Sequence, residues 1–194
     1  WLYAILFAIV FAETGFVVTP FLPGDSLLFA AGALAAVDTS GTLHLGTLML
    51  LLAVAAIAGN TLNYSIGRFV GPRAFSGHNR LLSLEHLERT EAFFRRHGAL
   101  AIVLSRFVPI VRTFAPFVAG IGRMPYARFQ AYNVAGGGGW VLLFCVGGYL
   151  FGNLAWVKRN FGLVTIAIIV ASLVPLALSI AREVLGHLNR SKPM

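Results

Sequence analysis

The sequence predicts an all-α polytopic membrane protein in which two opposed re-entrant helical hairpins form an inverted repeat. Of its 194 residues, 58% are hydrophobic and 11% are charged, with a mean hydropathy of +0.81, whereas an ordinary soluble domain is about 25% charged. Two apolar blocks are interrupted by prolines and carry charged residues. These observations predict the two hairpins, about three to four transmembrane helices and an amphipathic interfacial helix, all in one membrane domain over residues 1–194.

Six apolar blocks follow one another along the chain, at residues 1–12, 13–37, 46–66, 99–122, 129–152 and 161–181. A helix needs about 20 apolar residues to cross the hydrocarbon core of a bilayer. The third, fifth and sixth blocks meet this requirement and are predicted to be ordinary spans. The polar residues 67–98 separate the first three blocks from the last three.

The second and fourth blocks, 13–37 and 99–122, are each expected to break into two short helices. Proline lacks the amide that a helix interior needs, and its ring clashes with the preceding turn. Irregular backbone at membrane depth is tolerated where protein buries it or where it lines a cavity. The predicted break residues are Pro20, Pro23 and Gly24 in the first block, and Pro109, Pro116 and Gly120 in the second.

The two broken blocks also share a short fragment, "PFLPG" at 20–24 and "PFVAG" at 116–120, with three identical residues of five. Both fragments fall at a predicted break, which favours an internal repeat. Opposed hairpins that meet near the midplane are a common way to build a transporter site.

Basic residues are concentrated in three polar segments: the linker 67–98, the connection 123–128 and the tail from residue 182. All three are predicted to be cytoplasmic, because lysine and arginine accumulate on that side of a membrane. Block 99–122 then has both ends on one side, so it must enter the membrane and return. The linker places leucine and phenylalanine among alternating charges, which predicts an amphipathic helix at the membrane surface.

Four ionisable residues fall inside the broken blocks: Glu13, Asp25, Arg106 and Arg112. A charge at the bilayer centre costs about 3 kcal/mol or more, so this balanced set is expected to share one polar cavity. Arg106 and Arg112 are candidate phosphate-binding residues, because the planar guanidinium suits phosphate. Glu13 and Asp25 are candidates for proton coupling or gating, because a carboxylate in a partly dry cavity can exchange protons. The alternative is that the salt bridges only hold the hairpins together.

Four further polar residues are candidate cavity-lining residues: Asn60, Asn63, Tyr64 and Asn133. For Asn63 and Tyr64 an interhelical hydrogen bond is the favoured role, and Asn133 has the same two possible roles. The histidines lack metal-ligand spacing with the acids, and Cys145 is the single cysteine, so no metal or other cofactor is expected. The formal charge of +8 comes from basic residues between apolar runs, which favours lipid headgroups over nucleic acid as the partner.

Three motifs resemble the DedA family of bacterial inner-membrane proteins, within the SNARE-associated or VTT-domain superfamily: "ETGFVVTPFLPGDSLLFAAGALA", "LNYSIGRFVG" and "SRFVPIVRTFAPFVAGIGRMPYARFQAYNV". The resemblance covers nearly the whole chain, from about residue 3 to residue 180. It implies a multi-pass protein of the bacterial cytoplasmic membrane, with two opposed hairpins and both termini in the cytoplasm. It also implies a role in lipid movement, notably the return of undecaprenyl phosphate across the membrane, with dependence on the proton motive force.

The family's essential positions match the same four charged residues. Glu13 corresponds to an acid before the first break, and Asp25 to an acid at the end of the Pro-Gly motif. Two arginines six residues apart in the second hairpin correspond to Arg106 and Arg112. The chain departs from the family at Asn60, where many members have an acid, so it lacks a third carboxylate there.

The leading hypothesis is a flippase for undecaprenyl phosphate, coupled to the proton motive force, with a polyprenyl phosphate or phospholipid and protons as its partners. The alternatives are a proton-coupled cation or drug antiporter and a general phospholipid scramblase. An enzyme is not expected, because a related lipid phosphatase motif requires histidine and aspartate where this chain has Arg112 and Pro116. The sequence leaves open the exact lipid, the choice between monomer and homodimer, and the pairing among the four charged residues.

Overall fold

The computed structural model describes residues 1–16, 24–74 and 96–160, with the isolated positions 92, 94 and 163. These residues form helices and connecting loops, and no strand occurs among them. The described part of the chain is therefore all-α, as predicted. Pro20 and Pro23, most of the predicted linker 67–98 and nearly all of the predicted span 161–181 lie outside the described residues.

The helices are labelled in chain order as α1 (Leu2–Gly15), α2 (Gly24–Val37), α3 (Leu45–Ala74), α4 (Gly98–Phe107), α5 (Pro109–Ile121), α6 (Tyr126–Gly152) and α7 (Ala155–Arg159). Helix α4 is irregular, with a 3-10 turn at each end. Within the described residues, two stretches are long and apolar enough to cross a membrane, Leu45–Phe69 in α3 and Tyr126–Gly152 in α6. They coincide with the predicted spans 46–66 and 129–152.

The short helices pack on the two long helices in a reciprocal pattern. Helix α1 lies against α3, the long helix that follows it in sequence, and α4 lies against α6 in the same way. Helix α2 instead packs on α6, and α5 packs on α3. In each half of the chain, one short helix therefore packs on the long helix of the other half. This repeated order of elements supports the predicted internal repeat. The exchanged short helices also hold the two halves of the chain together.

The first pair of short helices, α1 and α2, extends from the loop 38–44 to the middle of α3. At the loop, the Tyr3 hydroxyl accepts a hydrogen bond from the amide of His44 (3.0 Å). At the other end of α1, the carbonyl of Thr14 accepts one from Nδ2 of Asn63 (3.3 Å). Helix α2 then runs back to the loop, so α1 and α2 form a hairpin, whose described tip consists of the end of α1 and the start of α2.

The loop 38–44 is held by the carboxylate of Asp38. This carboxylate accepts hydrogen bonds from the hydroxyl of Ser40 and from the amides of Ser40 (3.0 Å) and Leu43 (2.7 Å). The Ser40 hydroxyl contributes most, and together these bonds lower the pKa of Asp38 to about 2, because they stabilise the ionised form. Asp38 therefore stays ionised under ordinary assay conditions.

The second pair of short helices, α4 and α5, turns at Val108. The backbone of Val108 is extended (φ −117°, ψ 104°), and Pro109 is the first residue of α5. Proline is well suited to this position, because its fixed φ matches a helix and the first amide has no intrahelical partner. The tip of this second hairpin contacts α6, through α4, and α3, through α5.

Pro116 and Gly120 lie inside α5, which continues through both residues, so the prediction of a break at these two positions was wrong. Nδ2 of Asn63 donates to the carbonyl of Thr113 (2.8 Å), in the turn where Pro116 weakens the helical ladder. The fragments 20–24 and 116–120 also do not mark equivalent positions, since the first ends where α2 begins and the second lies within α5.

Glycines allow the exchanged helices to pack with their backbones in direct contact. A Cβ atom added at Gly32 of α2 or Gly148 of α6 would overlap the backbone of the other helix. Helices α5 and α3 cross in the same way at Gly120 and Gly67. Gly67 and Gly148 each lie 22 residues beyond the start of their long helix (45 to 67 and 126 to 148). The two crossings are therefore equivalent in the two halves of the chain.

We expect Gly148→Ala to destabilise the protein, because its Cβ would meet the backbone of Phe29 rather than a movable side chain. Overpacking of this kind costs about 1–3 kcal/mol. The measurement is the thermal unfolding midpoint of the purified protein in detergent.

The matched control is Gly139→Ala in the same helix, where an added Cβ meets no atom within 4 Å. This variant should be as stable as the original protein or slightly more stable, because alanine has the higher helix propensity. Equal unfolding midpoints for the two variants would contradict the close crossing of α2 and α6.

Candidate functional site

Arg112 binds both carboxylates of the predicted charged set. Its Nη1 donates to Oδ1 of Asp25 (3.0 Å), and its Nη2 donates to Oε1 of Glu13. The acids belong to the first hairpin, and Arg112 lies near the start of α5 in the second. The pairing that the sequence left open is therefore decided in favour of Arg112, and the two ion pairs join the hairpin tips.

The local backbone places the two acids side by side. Asp25 lies in the first turn of α2, where a negative charge is favoured by the helix dipole. Glu13 is near the end of α1, and its Oε1 also accepts from the amide of Gly24 (3.2 Å). A Cβ at position 24 would overlap the Glu13 carboxylate. Gly24 therefore allows the first residue of α2 to approach the acid directly.

The two acids differ in their access to the surroundings. Glu13 is only 1% exposed, whereas the side chain of Asp25 is 43% exposed. Oε2 of Glu13 has no hydrogen-bond partner among the described residues. Asp25 is therefore the more accessible proton acceptor, and Glu13 is the buried end of the same ion-pair cluster.

Arg106 is buried but does not form an ion pair with either acid of the cluster. Its Nη2 donates to Oδ1 of Asn133 (3.0 Å), and Asn60 donates to the same oxygen (3.0 Å). The residue is 4% exposed, and its Nε has no hydrogen-bond partner within the described ranges. Arg106 therefore places a positive charge in the site, and its hydrogen-bond partner there, Asn133, is neutral.

Trp140 connects the two arginines and was not predicted from the sequence. Its Nε1 donates to Oδ1 of Asp25 (2.8 Å), and its ring centroid lies 5.6 Å from Cζ of Arg106 and 5.9 Å from Cζ of Arg112. At these distances, cation–π attraction holds both guanidinium groups. An indole N–H inside an apolar span requires an acceptor, and this requirement was the signal available in the sequence.

The glycine run at 136–139 does not break α6, which continues through it. A Cβ at Gly137 would lie 3.0 Å from Nη2 of Arg106, and one at Gly136 would lie 3.1 Å from Cα of Val103. These two glycines therefore admit α4 and the Arg106 side chain next to α6.

Of the four predicted cavity-lining residues, only Asn60 lines the small cavity at the cluster. The lining residues are Glu13, Thr14, Asn60, Arg106, Arg112, Thr113 and Trp140. Asn63 instead connects both hairpins to α3 through the carbonyls of Thr14 and Thr113, and Asn133 connects α6 to α3. The Tyr64 hydroxyl donates to the carbonyl of Met124 and accepts from Arg68 (2.9 Å). Asn63, Tyr64 and Asn133 do not line this small cavity; they make hydrogen bonds to helix backbones and neighbouring side chains, which is the other role considered for them, and cavity lining stays a prediction.

The cavity at the cluster is small. Its volume of about 10 Å³ accommodates about one water molecule, which is far less than a phosphate group needs. The described arrangement therefore leaves no room for a phosphate in this cavity, and the donor groups of Arg112 bind the two carboxylates.

Comparison with known proteins places these observations in a family. The model of the VTT domain matches residues 22–150. Protein DedA of Escherichia coli (strain K12) is 52% identical over 184 residues, which is 94% of this chain and 84% of that protein. The membrane protein Rv0364 of Mycobacterium tuberculosis, which is uncharacterized, is 39% identical over 90% of this chain and 76% of its own length.

The inner membrane protein YghB of Escherichia coli (strain K12) is 38% identical over 81% of this chain and 71% of its own length. No solved structure matches the chain significantly. The matched domain includes Asp25, Arg106 and Arg112 and covers more than half of the chain. The identity to DedA extends over almost all of it. The chain therefore belongs to the DedA family of VTT-domain membrane proteins.

Proposed function

We propose that this protein is a membrane transporter, not an enzyme, that translocates undecaprenyl phosphate for cell-envelope precursor recycling and is coupled to the proton motive force. The observation that carries the proposal is the position of Arg112 between Glu13 and Asp25 at the contact of the two hairpins. The N–H groups that bind these carboxylate oxygens have the geometry that binds phosphate. Phosphate and the two carboxylates therefore compete for one guanidinium.

Proton coupling follows from this competition. Protonation removes the negative charge of a carboxylate and weakens its ion pair with Arg112. Arg112 and the nearby Arg106 then carry positive charge that the phosphate headgroup can balance. Deprotonation restores the ion pairs and expels the phosphate. In this scheme protons and lipid phosphate use the site in a linked order.

In the proposed membrane arrangement, the two hairpins are re-entrant and enter from opposite sides of the bacterial cytoplasmic membrane, with both termini in the cytoplasm. The contacts of the long helices support this arrangement. Asn60 contacts Asn133 (3.0 Å), and the next residue of α3, Thr61, accepts from Gln130 (2.9 Å) on the preceding turn of α6. The long helices are thus antiparallel, and each hairpin is attached at the start of one of them.

Alternating access then requires movement of one hairpin at a time. Separation of the first hairpin from α6 would open Arg112 toward the loop 38–44, and movement of the second would open it toward the other side. Only the phosphate headgroup needs a polar path, because the polyprenyl chain can stay in lipid beside the long helices.

We expect Arg112→Ala to reduce undecaprenyl phosphate translocation in proteoliposomes by about tenfold or more, because it removes the donor that binds the headgroup. Transport is measured with and without an imposed pH gradient. The matched control is Arg159→Ala, which removes an exposed arginine of α7 and should transport normally.

A second variant guards against misfolding, because Arg112→Ala leaves Glu13 buried without its cation. Glu13→Gln combined with Arg112→Gln removes both charges of this ion pair and is expected to fold but not to transport. Normal lipid transport by this folded pair would refute the role of Arg112. Retained exchange of cations or drugs in both Arg112 variants would identify an antiporter instead, and lipid movement indifferent to the gradient would identify a scramblase.

We expect Asp25→Asn to bind undecaprenyl phosphate but to lose the response of transport to the pH gradient, because the accessible proton acceptor is gone. Binding is measured with fluorescent lipid, and transport as above. Asp38→Asn is the matched control, since its carboxylate stays ionised (pKa about 2) and lies outside the cluster. A preserved gradient response in Asp25→Asn would remove Asp25 from the coupling mechanism.

A further inference from the structure

Trp140 makes contacts that the ion pairs alone do not require. It is 2% exposed in the middle of α6, yet its single polar atom reaches the half-exposed carboxylate of Asp25 on α2. Oδ1 of Asp25 thus receives two donors from two different helices, Trp140 Nε1 at 2.8 Å and Arg112 Nη1 at 3.0 Å. A change in the charge of this oxygen therefore alters the hydrogen bonds of both donors.

We infer that Trp140 is the positioning residue that couples the ionisation of Asp25 to the position of Arg112, and that its ring forms the floor of a two-arginine phosphate site. The inference rests on the proposed function and deepens it. It assigns to one side chain both the detection of the proton and the placement of the guanidinium that binds the lipid headgroup.

The detection step follows from the chemistry of indole. The indole N–H donates and cannot accept a hydrogen bond, so it binds the ionised carboxylate better than the protonated one. The charged groups of the cluster around Asp25 are Arg112 from α5, Glu13 from α1 and Arg106 from α4. The residues that face the cluster from α6 and α3, Trp140 and Asn60, carry no charge. Protonation of Asp25 therefore weakens its bonds to Trp140 and Arg112 together.

The placement step follows from the ring. Arg106 and Arg112 lie within 6 Å of the same ring centroid, where cation–π attraction holds a guanidinium without fixing one hydrogen-bonding direction. When Arg112 leaves Asp25, it can pivot on the ring and stay close to Arg106. A phosphate bound at the ring edge then accepts from both arginines, including the unpartnered Nε of Arg106.

The first test uses the fluorescence of Trp140 and needs no transport. The chain has three tryptophans, and the other two, Trp1 and Trp156, are exposed. Trp1→Phe with Trp156→Phe leaves Trp140 as the only indole. We expect its emission to change with pH in a single titration that disappears in the added variant Asp25→Asn and persists in the added variant Asp38→Asn. A titration that survives Asp25→Asn, or no titration at all, would overturn the inference.

The second test compares the pH profile of transport in Trp140→Phe, which keeps an aromatic face but lacks the N–H, and in Trp156→Phe as the matched control. We expect the midpoint for Trp140→Phe to move by about one pH unit toward higher pH, because one hydrogen bond to the ionised carboxylate is lost. Trp140→Leu, which also lacks the face, should in addition raise the lipid concentration needed for half-maximal transport. Lower thermal stability with an unmoved midpoint would show that Trp140 only packs.

The two tests separate this inference from the proposed function. Failure of the original protein to move undecaprenyl phosphate would refute the proposed function, while the fluorescence titration would still decide whether Trp140 senses Asp25. Direct addition of undecaprenyl phosphate to the single-tryptophan protein at low pH should change the emission further, and this change should be absent in Arg106→Gln. An identical change in Arg106→Gln would overturn the two-arginine site.

Discussion

The ion pairs of Arg112 with Glu13 and Asp25 are the interaction on which the rest of the structure depends. Charges at membrane depth are costly unless they are paired, and removal of one partner from a buried pair leaves an uncompensated charge. Here the partners come from two hairpins that are far apart in sequence. The charges are therefore paired only when α1 and α2 lie against α5, and this pairing stabilises the described arrangement.

The close helix crossings fix how the two hairpins are positioned relative to the long helices. Lipid tails are as apolar as the helices, so close packing rather than water exclusion holds membrane helices together. The crossings of α2 with α6 and of α5 with α3 use glycines on both helices, which brings backbone against backbone. Because one short helix of each half packs on the long helix of the other half, a hairpin cannot move without changing its contacts with that long helix.

The same arrangement makes a strongly polar cluster compatible with the proposed transport. Arg112 binds both acids, Trp140 binds Asp25, and the cavity beside them has a volume of about 10 Å³, so this arrangement has little room for solvent. A ligand must replace protein groups rather than fill an empty space. The proposed response to protons follows because the groups that the ligand would replace are carboxylates.

Sequence alone determined the all-α class, the two long apolar helices, the family and the four charged residues. Each of these depends on composition, hydropathy or local motifs, and the cost of a charge in an apolar block makes such residues conspicuous. The break at Pro116 and Gly120 was predicted wrongly, because proline and glycine only lower the local preference for a helix and do not exclude one. Asn63 near Pro116 and the close crossing at Gly120 are contacts with α3, which lies far away in the chain.

Only the tertiary structure decided that Arg112 takes both acids, that Arg106 faces Asn133, and that Trp140 lies between the two arginines. Hydrophobic periodicity cannot distinguish such pairings, because spacing within one segment does not fix which distant side chain it meets. Local sequence patterns also could not predict that the short helices of one half pack on the long helix of the other. This packing depends on which backbone surfaces fit, and that is a property of the assembled helices.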